Sequence, residues 1–132
     1  MFGIFQTDDG RVPANEYLPC SAITPKVGMA LKVTGGNLAL ASGADEPLYI
    51  SMTERNTACT AGELIPVVRV QRDVIFETPT PASFTAKIGD KVQLGTDGLS
   101  ITGTSGGAAE IVYTDDDVTR VRFGSVPAAK AT

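Results

Sequence analysis

The sequence predicts an all-β protein, a small sandwich or barrel built from two tandem β units with an extended N-terminal arm. Three observations carry that expectation. From Lys26 onward, Val, Ile, Thr and Leu alternate with polar residues in short runs, the period of a half-buried strand. Gly, Pro and Asp interrupt those runs at the spacing of turns in a strand-rich domain. The pattern also recurs along the chain. No window holds a helical apolar stripe across three turns.

The first 25 residues mix apolar side chains with turn formers at Asp8-Asp9-Gly10, Pro13, Pro19 and Pro25. They read as an extended arm with one short strand near Leu18 to Thr24. The β domain then spans 26–124, with units over 26–71 and 87–124 and a linker over 72–86 that places Phe76 and Phe84 in the core. The last residues, 125–132, are small and polar enough to form a flexible tail.

The repeat appears when Lys26 is laid on Lys87, an offset of 61 positions. Val27-Gly28 then meets Ile88-Gly89, Leu31 meets Val92, Val33 meets Leu94, Leu40 meets Ile101 and Ile50 meets Ile111. With a shorter connection in the second copy, Val68-Arg69-Val70 falls on Val121-Arg122-Phe123. Each copy should begin with a tight hairpin. A turn at Gly36-Asn37 would set Val33 opposite Leu40, and one at Asp97-Gly98 would set Leu94 opposite Ile101. Asx-Gly and Gly-Asx pairs tolerate the positive φ angles of a type I′ turn. Each copy then adds a third strand (Leu48 to Met52; Ile111 to Thr114) and a fourth with the Val-Arg-apolar run. Pro66 inside Leu64-Ile65-Pro66-Val67 implies a bulge or an edge, because proline cannot donate to a ladder.

Composition restricts the chemistry. The chain has 132 residues, 42% hydrophobic and 20% charged, with no His and no Trp. Without histidine there is no Ser-His or Cys-His dyad and no imidazole ligand, so an enzyme is not expected. Eleven Lys and Arg against fifteen Asp and Glu leave a net charge of −4, a field that opposes nucleic-acid binding. No apolar run approaches the roughly 18 residues of a membrane helix, so no membrane association is expected. The N-terminus lacks a basic leader and is not read as a secretory signal. Cys20 and Cys59, widely spaced and outside any CxxC motif, read as free buried thiols in a reducing cytoplasm, with a disulfide as the alternative.

Few residues look chemical. Asp115-Asp116-Asp117 lacks the alternating ligands of a calcium loop and reads as a solvated turn. Glu54, Glu110 and Asp115 could supply a glycosidase carboxylate pair, but nothing marks them as buried. Gly103 to Gly107 lacks the Lys-Ser/Thr of a phosphate loop and reads as a flexible hairpin loop. No cofactor or metal is expected. Arg69, Arg120 and Arg122 project from the outer face of matched strands. They could grip an acidic partner, or pair with Glu or Asp across strands. Phe2, Ile4 and Phe5 lie outside the repeat at a chain end, free to fold back on the domain or to dock on a neighbour.

Several stretches carry a resemblance. They are Pro47 to Met52, Ile65 to Val70, Phe76-Glu77-Thr78, Ile88 to Val92, Asp97-Gly98-Leu99 and Val121-Arg122-Phe123. Together, over about 26–124, they resemble capsid decoration (cement) proteins of tailed bacteriophages. The resemblance implies a non-enzymatic β domain on the outer surface of an icosahedral head, commonly a homotrimer, with the major capsid protein as partner. It implies assembly in the host cytoplasm and supplies no catalytic residues. The alternative is a small β module that binds a carbohydrate or host-surface ligand from a phage particle.

Overall fold

The computed structural model describes residues 1–7, 10 and 14–124. The tail expected over 125–132 and part of the Asp8-Asp9-Gly10 turn lie outside the described residues. Eleven strands and no helix are found among the described residues: β1 (Gly3–Thr7), β2 (Glu16–Cys20), β3 (Ala30–Thr34), β4 (Asn37–Leu40), β5 (Tyr49–Ser51), β6 (Glu63–Arg69), β7 (Val74–Pro79), β8 (Lys91–Leu94), β9 (Ile101–Ser105), β10 (Ala109–Thr114) and β11 (Val118–Phe123).

The two copies fold alike. The first makes the order β4-β3-β5-β6 and the second β9-β8-β10-β11. In each, one further strand lies antiparallel to the last: β2 on β6, and β7 on β11. The second unit therefore begins at β7. The segment read as a linker over 72–86 contains its first strand, because Val74, Phe76 and Thr78 alternate inward. Phe76 is fully buried as expected, whereas Phe84 only packs against the core edge.

The copies differ in how they end. In the first, β2 also meets β4 through a parallel pair at Cys20 and Leu38, closing a five-stranded barrel. In the second, the sheet stays open, and β1 pairs antiparallel with β7 to complete six strands. Gly3–Thr7 and Glu16–Cys20, expected within an extended arm, therefore belong to the two sheets. Phe2 is 3% exposed and meets Phe123 edge-on, with ring centroids 5.3 Å apart. The strand expected near Leu18 to Thr24 lies earlier, because Glu16 to Cys20 pairs residue by residue with β6.

Both hairpins show how local turn chemistry yields to wider contacts. In the first, Gly35 and Gly36 hold the central positions at φ 58° and 82°. They meet the type I′ requirement without a Cβ clash. The turn thus sits one residue earlier than Gly36-Asn37, and Val33 faces Leu38 while Leu31 faces Leu40. In the second, Leu94 faces Ile101 as expected. The connection widens, however, with the Gly95 N–H on the Ser100 carbonyl at 2.8 Å. That widening drives Leu99 against the barrel interior, and the Gly98 carbonyl accepts the Ala30 N–H at 2.8 Å. Gly98 has φ 69°, and a Cβ there would lie 3.0 Å from the Ala41 carbonyl oxygen as well as against Leu40 Cδ1, so the crossing favours glycine.

Two cores result. One fills the barrel with Leu31, Leu38, Ile65, Val67, Met29 and Tyr49. The other lies between the units, where Ile50 of the barrel joins Ile111, Val121, Phe76, Phe123 and Phe2. The repeat-equivalent residues Ile50 and Ile111 thus share one core, as do Val70 and Phe123. Pro66 is neither bulged nor on an edge. Its carbonyl accepts the Met52 N–H at 3.0 Å just past the end of β5, so its absent N–H falls where β5 has stopped.

Cys20 and Cys59 form a disulfide, which corrects the expectation of free thiols. The loop between β5 and β6 folds back along the chain after β2, with the Cys59 N–H on the Ile23 carbonyl at 2.7 Å. That return brings together cysteines distant in sequence. Closing the loop of 39 residues should contribute about 4 kcal/mol by restricting the unfolded chain. Cys20→Ser/Cys59→Ser should therefore melt roughly 10–20 °C lower by calorimetry, and a reductant should lower the parent protein similarly. In denaturant unfolding, Phe2→Ala should cost about 3–4 kcal/mol; a terminal residue outside the core would cost far less.

Candidate interaction surface

The outer face of the open sheet gathers two of the six residues singled out from sequence, Phe5 and Arg120, in one row with Tyr113 and Glu77. Along β11, Thr119, Val121 and Phe123 point inward, so Arg120 points out. It stands opposite Glu77 of β7 and Tyr113 of β10. Its Nε donates to Glu77 Oε2 at 3.0 Å. The guanidinium lies 3.8 Å from the centroid of the Phe5 ring and 4.7 Å from that of Tyr113. Two register shifts make this row possible. One in β1 falls between Ile4 and Gln6, at Phe5, and one in β10 falls between Ile111 and Tyr113. A bulge re-aims a side chain that strict alternation would direct elsewhere.

The row has a firm base and an open flank. Tyr113 donates its hydroxyl to Asp115 Oδ2 at 2.8 Å. Asp115 Oδ1 accepts the N–H groups of Asp117 and Val118, each at 2.8 Å, so this carboxylate builds the β10–β11 turn. Those backbone donors, together with the tyrosine hydroxyl, hold its pKa below the ordinary carboxylate range. The same bond raises the Tyr113 phenol. Beside Phe5 lies a cleft of about 350 Å³ lined by Met1, Ile4, Glu77, Pro79 and Val118. Phe5 itself is 44% exposed.

The remaining residues fall elsewhere. Phe2 is core, and Ile4 is half-buried against it. Arg69 makes a two-pronged pair with Glu16, both contacts at 3.0 Å, and lies over the Tyr49 ring. Arg122 donates to the Arg72 carbonyl at 2.7 Å, and Arg72 in turn pairs with Glu110 and reaches the Gly124 carbonyl. The arginines do not form one cationic stripe. Arg69 and Arg120 each face a carboxylate across a strand, the cross-strand pairing weighed above.

The three carboxylates considered for catalysis lie apart in different roles. Glu110 pairs with Arg72, Asp115 shapes its turn, and Glu54 is exposed on the loop after β5. Among the described residues, no three of His, Cys, Asp and Glu gather as a metal site would require. The Gly103 to Gly107 stretch is not a loose loop. It ends β9 and then packs so tightly that a Cβ at Gly107 would lie 1.9 Å from the Val92 carbonyl oxygen.

Sequence reading missed Tyr113 and a second apolar surface on the barrel that includes Tyr17 and Leu64. The second had a signal. Leu64 to Val68 is apolar at odd and even positions alike, so one face of β6 had to present apolar groups outside the barrel. Between barrel and sheet lies an apolar cavity of about 180 Å³, bounded by Met1, Phe2, Val27, Ile50, Met52 and Val68. It is smaller than the roughly 300–1,000 Å³ of ordinary ligand pockets.

Comparison with protein-family models, with curated proteins and with solved structures returns no match.

The Asp115 turn has a pH signature. Its folded-state pKa is lowered, so its stabilising contribution is fully present above the ordinary carboxylate value of about 4. That contribution is lost as pH falls through the lower folded-state value. Melting curves from neutral pH down to strong acid should show Asp115→Asn less stable than the parent at neutral pH. The gap should narrow only below about pH 4; a gap unchanged in acid would contradict this role.

Proposed function

We propose that this chain is a non-enzymatic structural protein of a tailed-bacteriophage particle, a decoration protein that binds the outer surface of the head. In this reading its partner is the major capsid protein, and it stabilises the shell as a homo-oligomer, commonly a trimer. The observation that carries the reading is the Phe5–Arg120–Tyr113 row. Aromatic and arginine side chains dominate the energetics of protein interfaces. Here they are fixed on a sheet face by an ion pair and two bulges. Held rigidly, they lose little side-chain freedom on docking. On a lattice, many modest contacts of this kind combine through avidity.

Two further features support it. The resemblance covers both β units and concerns proteins whose work is done by surface. The Cys20–Cys59 disulfide suits a particle that leaves the reducing cytoplasm after assembly.

Mixing the purified chain with undecorated heads of the matching phage or prophage should give regular added density by cryo-electron microscopy. Absence of such density would sink the proposal. Phe5→Ala and Tyr113→Ala should each weaken head binding by about tenfold or more. Both rings are partly exposed, so the melting temperature should fall by only a few degrees.

A further inference from the structure

The cleft beside Phe5 has walls whose chemistry selects an occupant. It runs between β1, the end of β7 and the β10–β11 turn, with a volume of about 350 Å³. Ile4, Pro79 and Val118 supply apolar walls, and Phe5 adds an aromatic one. Two carboxylates, Glu77 and Asp117, complete the lining, and among the described residues no Lys or Arg joins them there. Glu77 accepts the Arg120 Nε–H on Oε2 at 3.0 Å. A carboxylate takes several donors, so Glu77 Oε1 remains for another. Asp117 is held only through its backbone. Its N–H donates to Asp115 Oδ1 at 2.8 Å, and its carbonyl accepts the Thr80 N–H at 3.0 Å. The ion pairs among the described residues engage Asp45, Glu63, Glu16, Glu110 and Glu77, and Asp117 is in none of them.

The sheet edges restrict the form in which a partner can enter. An open edge invites a partner strand unless it is short, charged or irregular. The edge strand β1, which borders the cleft, breaks register between Ile4 and Gln6. At the opposite edge, Thr102, Gly103 and Thr104 of β9 stand against Gln93 of β8 alone, between the pairs Val92–Ser105 and Leu94–Ile101. Both edges are therefore bulged, and a bulge interrupts the ladder that an added strand would need. The cleft is open to a side chain rather than to a strand.

We propose that this cleft receives a basic side chain, Arg or Lys, from the protein that docks on the Phe5–Arg120–Tyr113 row. The inference rests on the docking role proposed above and adds the chemistry of the partner. Long basic side chains lay an aliphatic stem on apolar surface and keep the charged head at its polar rim. Here the stem lies on Ile4, Pro79 and Val118, and the head meets Asp117 and Glu77 Oε1. Charge complementarity favours this occupant over a neutral or acidic one. The chain carries a net charge of −4, so its field draws a basic group in and repels an acidic one. Arg120, the cation nearest the row, is already neutralised by Glu77 and covers the Phe5 ring at 3.8 Å, so it leaves Asp117 without a counterion.

Asp117→Lys puts the occupant's own charge at the cleft and leaves both backbone bonds of residue 117 in place, so the melting temperature should hold. Its affinity for undecorated heads should fall by about 30-fold or more, the scale of a like-charge contact. Asp117→Asn should lose less, and its binding should depend less steeply on salt than the parent's. In an NMR titration of the full chain, N-acetyl-arginine amide should give saturable shifts at Ile4, Phe5, Asp117 and Val118. Its uncharged analogue, N-acetyl-citrulline amide, should give none. Absent shifts with the arginine compound, equal shifts with both compounds, or an Asp117→Lys variant that binds heads like the parent would overturn the proposal. Arginine-specific shifts in a parent that fails to bind heads would uphold the cleft and reject the capsid role. Heads bound equally by parent and Asp117→Lys would do the reverse.

Discussion

The structure depends on one contact, the packing of two like β units against each other. Neither unit is finished alone. The barrel encloses its own small core but leaves Ile50 and Val68 on its outside, and the open sheet has a whole apolar face to cover. A sheet with one bare apolar face must bury it, and the cheapest cover is a unit with a matching pattern. Duplication supplies that match, because equivalent positions such as Ile50 and Ile111 carry similar side chains into the shared core. Phe2 completes the arrangement. The N-terminus runs from the first unit's Gly28, whose carbonyl accepts the Phe2 N–H at 3.0 Å, to the edge of the second unit's sheet.

That arrangement separates two outward surfaces. The barrel has closed on itself and has no sheet edge of its own. Its remaining apolar residues stand on a face and are available to another molecule. The open sheet turns its inner face to the shared core, and its outer face is held by ion pairs and stacked rings rather than by burial. Exposed ion pairs contribute little to stability. Their effect here is positional, since Glu77 and Tyr113 fix the Arg120 plane against Phe5. The two surfaces differ chemically, and they sit on different copies of the same repeat.

Much of the fold was legible in the residues. The strand period, the two units and the Leu94–Ile101 pairing all follow from alternation and from turn-forming residues, which act over a few positions. What was not legible depends on residues distant in sequence. Leu99 packs half-buried against the barrel core of the other unit, where the widened Asp97-Gly98 connection carries it. The segment 72–86 reads as a linker until β11 provides an edge for Val74–Pro79 to join. Of the candidate site, Phe5 and Arg120 could be named from sequence. Tyr113 could not be joined to them, because strict alternation gives no sign of the two bulges that align the row.

The sequence by itself determined the all-β class, the duplicated unit and the identity of most core positions, because a period-two pattern is a local record of which face is buried. Only the tertiary structure decided that one copy closes into a barrel while the other remains open. It also decided that Phe2 belongs to the core, that Cys20 meets Cys59, and that Leu64 and Tyr17 stay exposed. Each of those outcomes turns on which distant strand or loop arrives at a given edge or face. Local periodicity marks a surface as apolar; it does not say what will cover it.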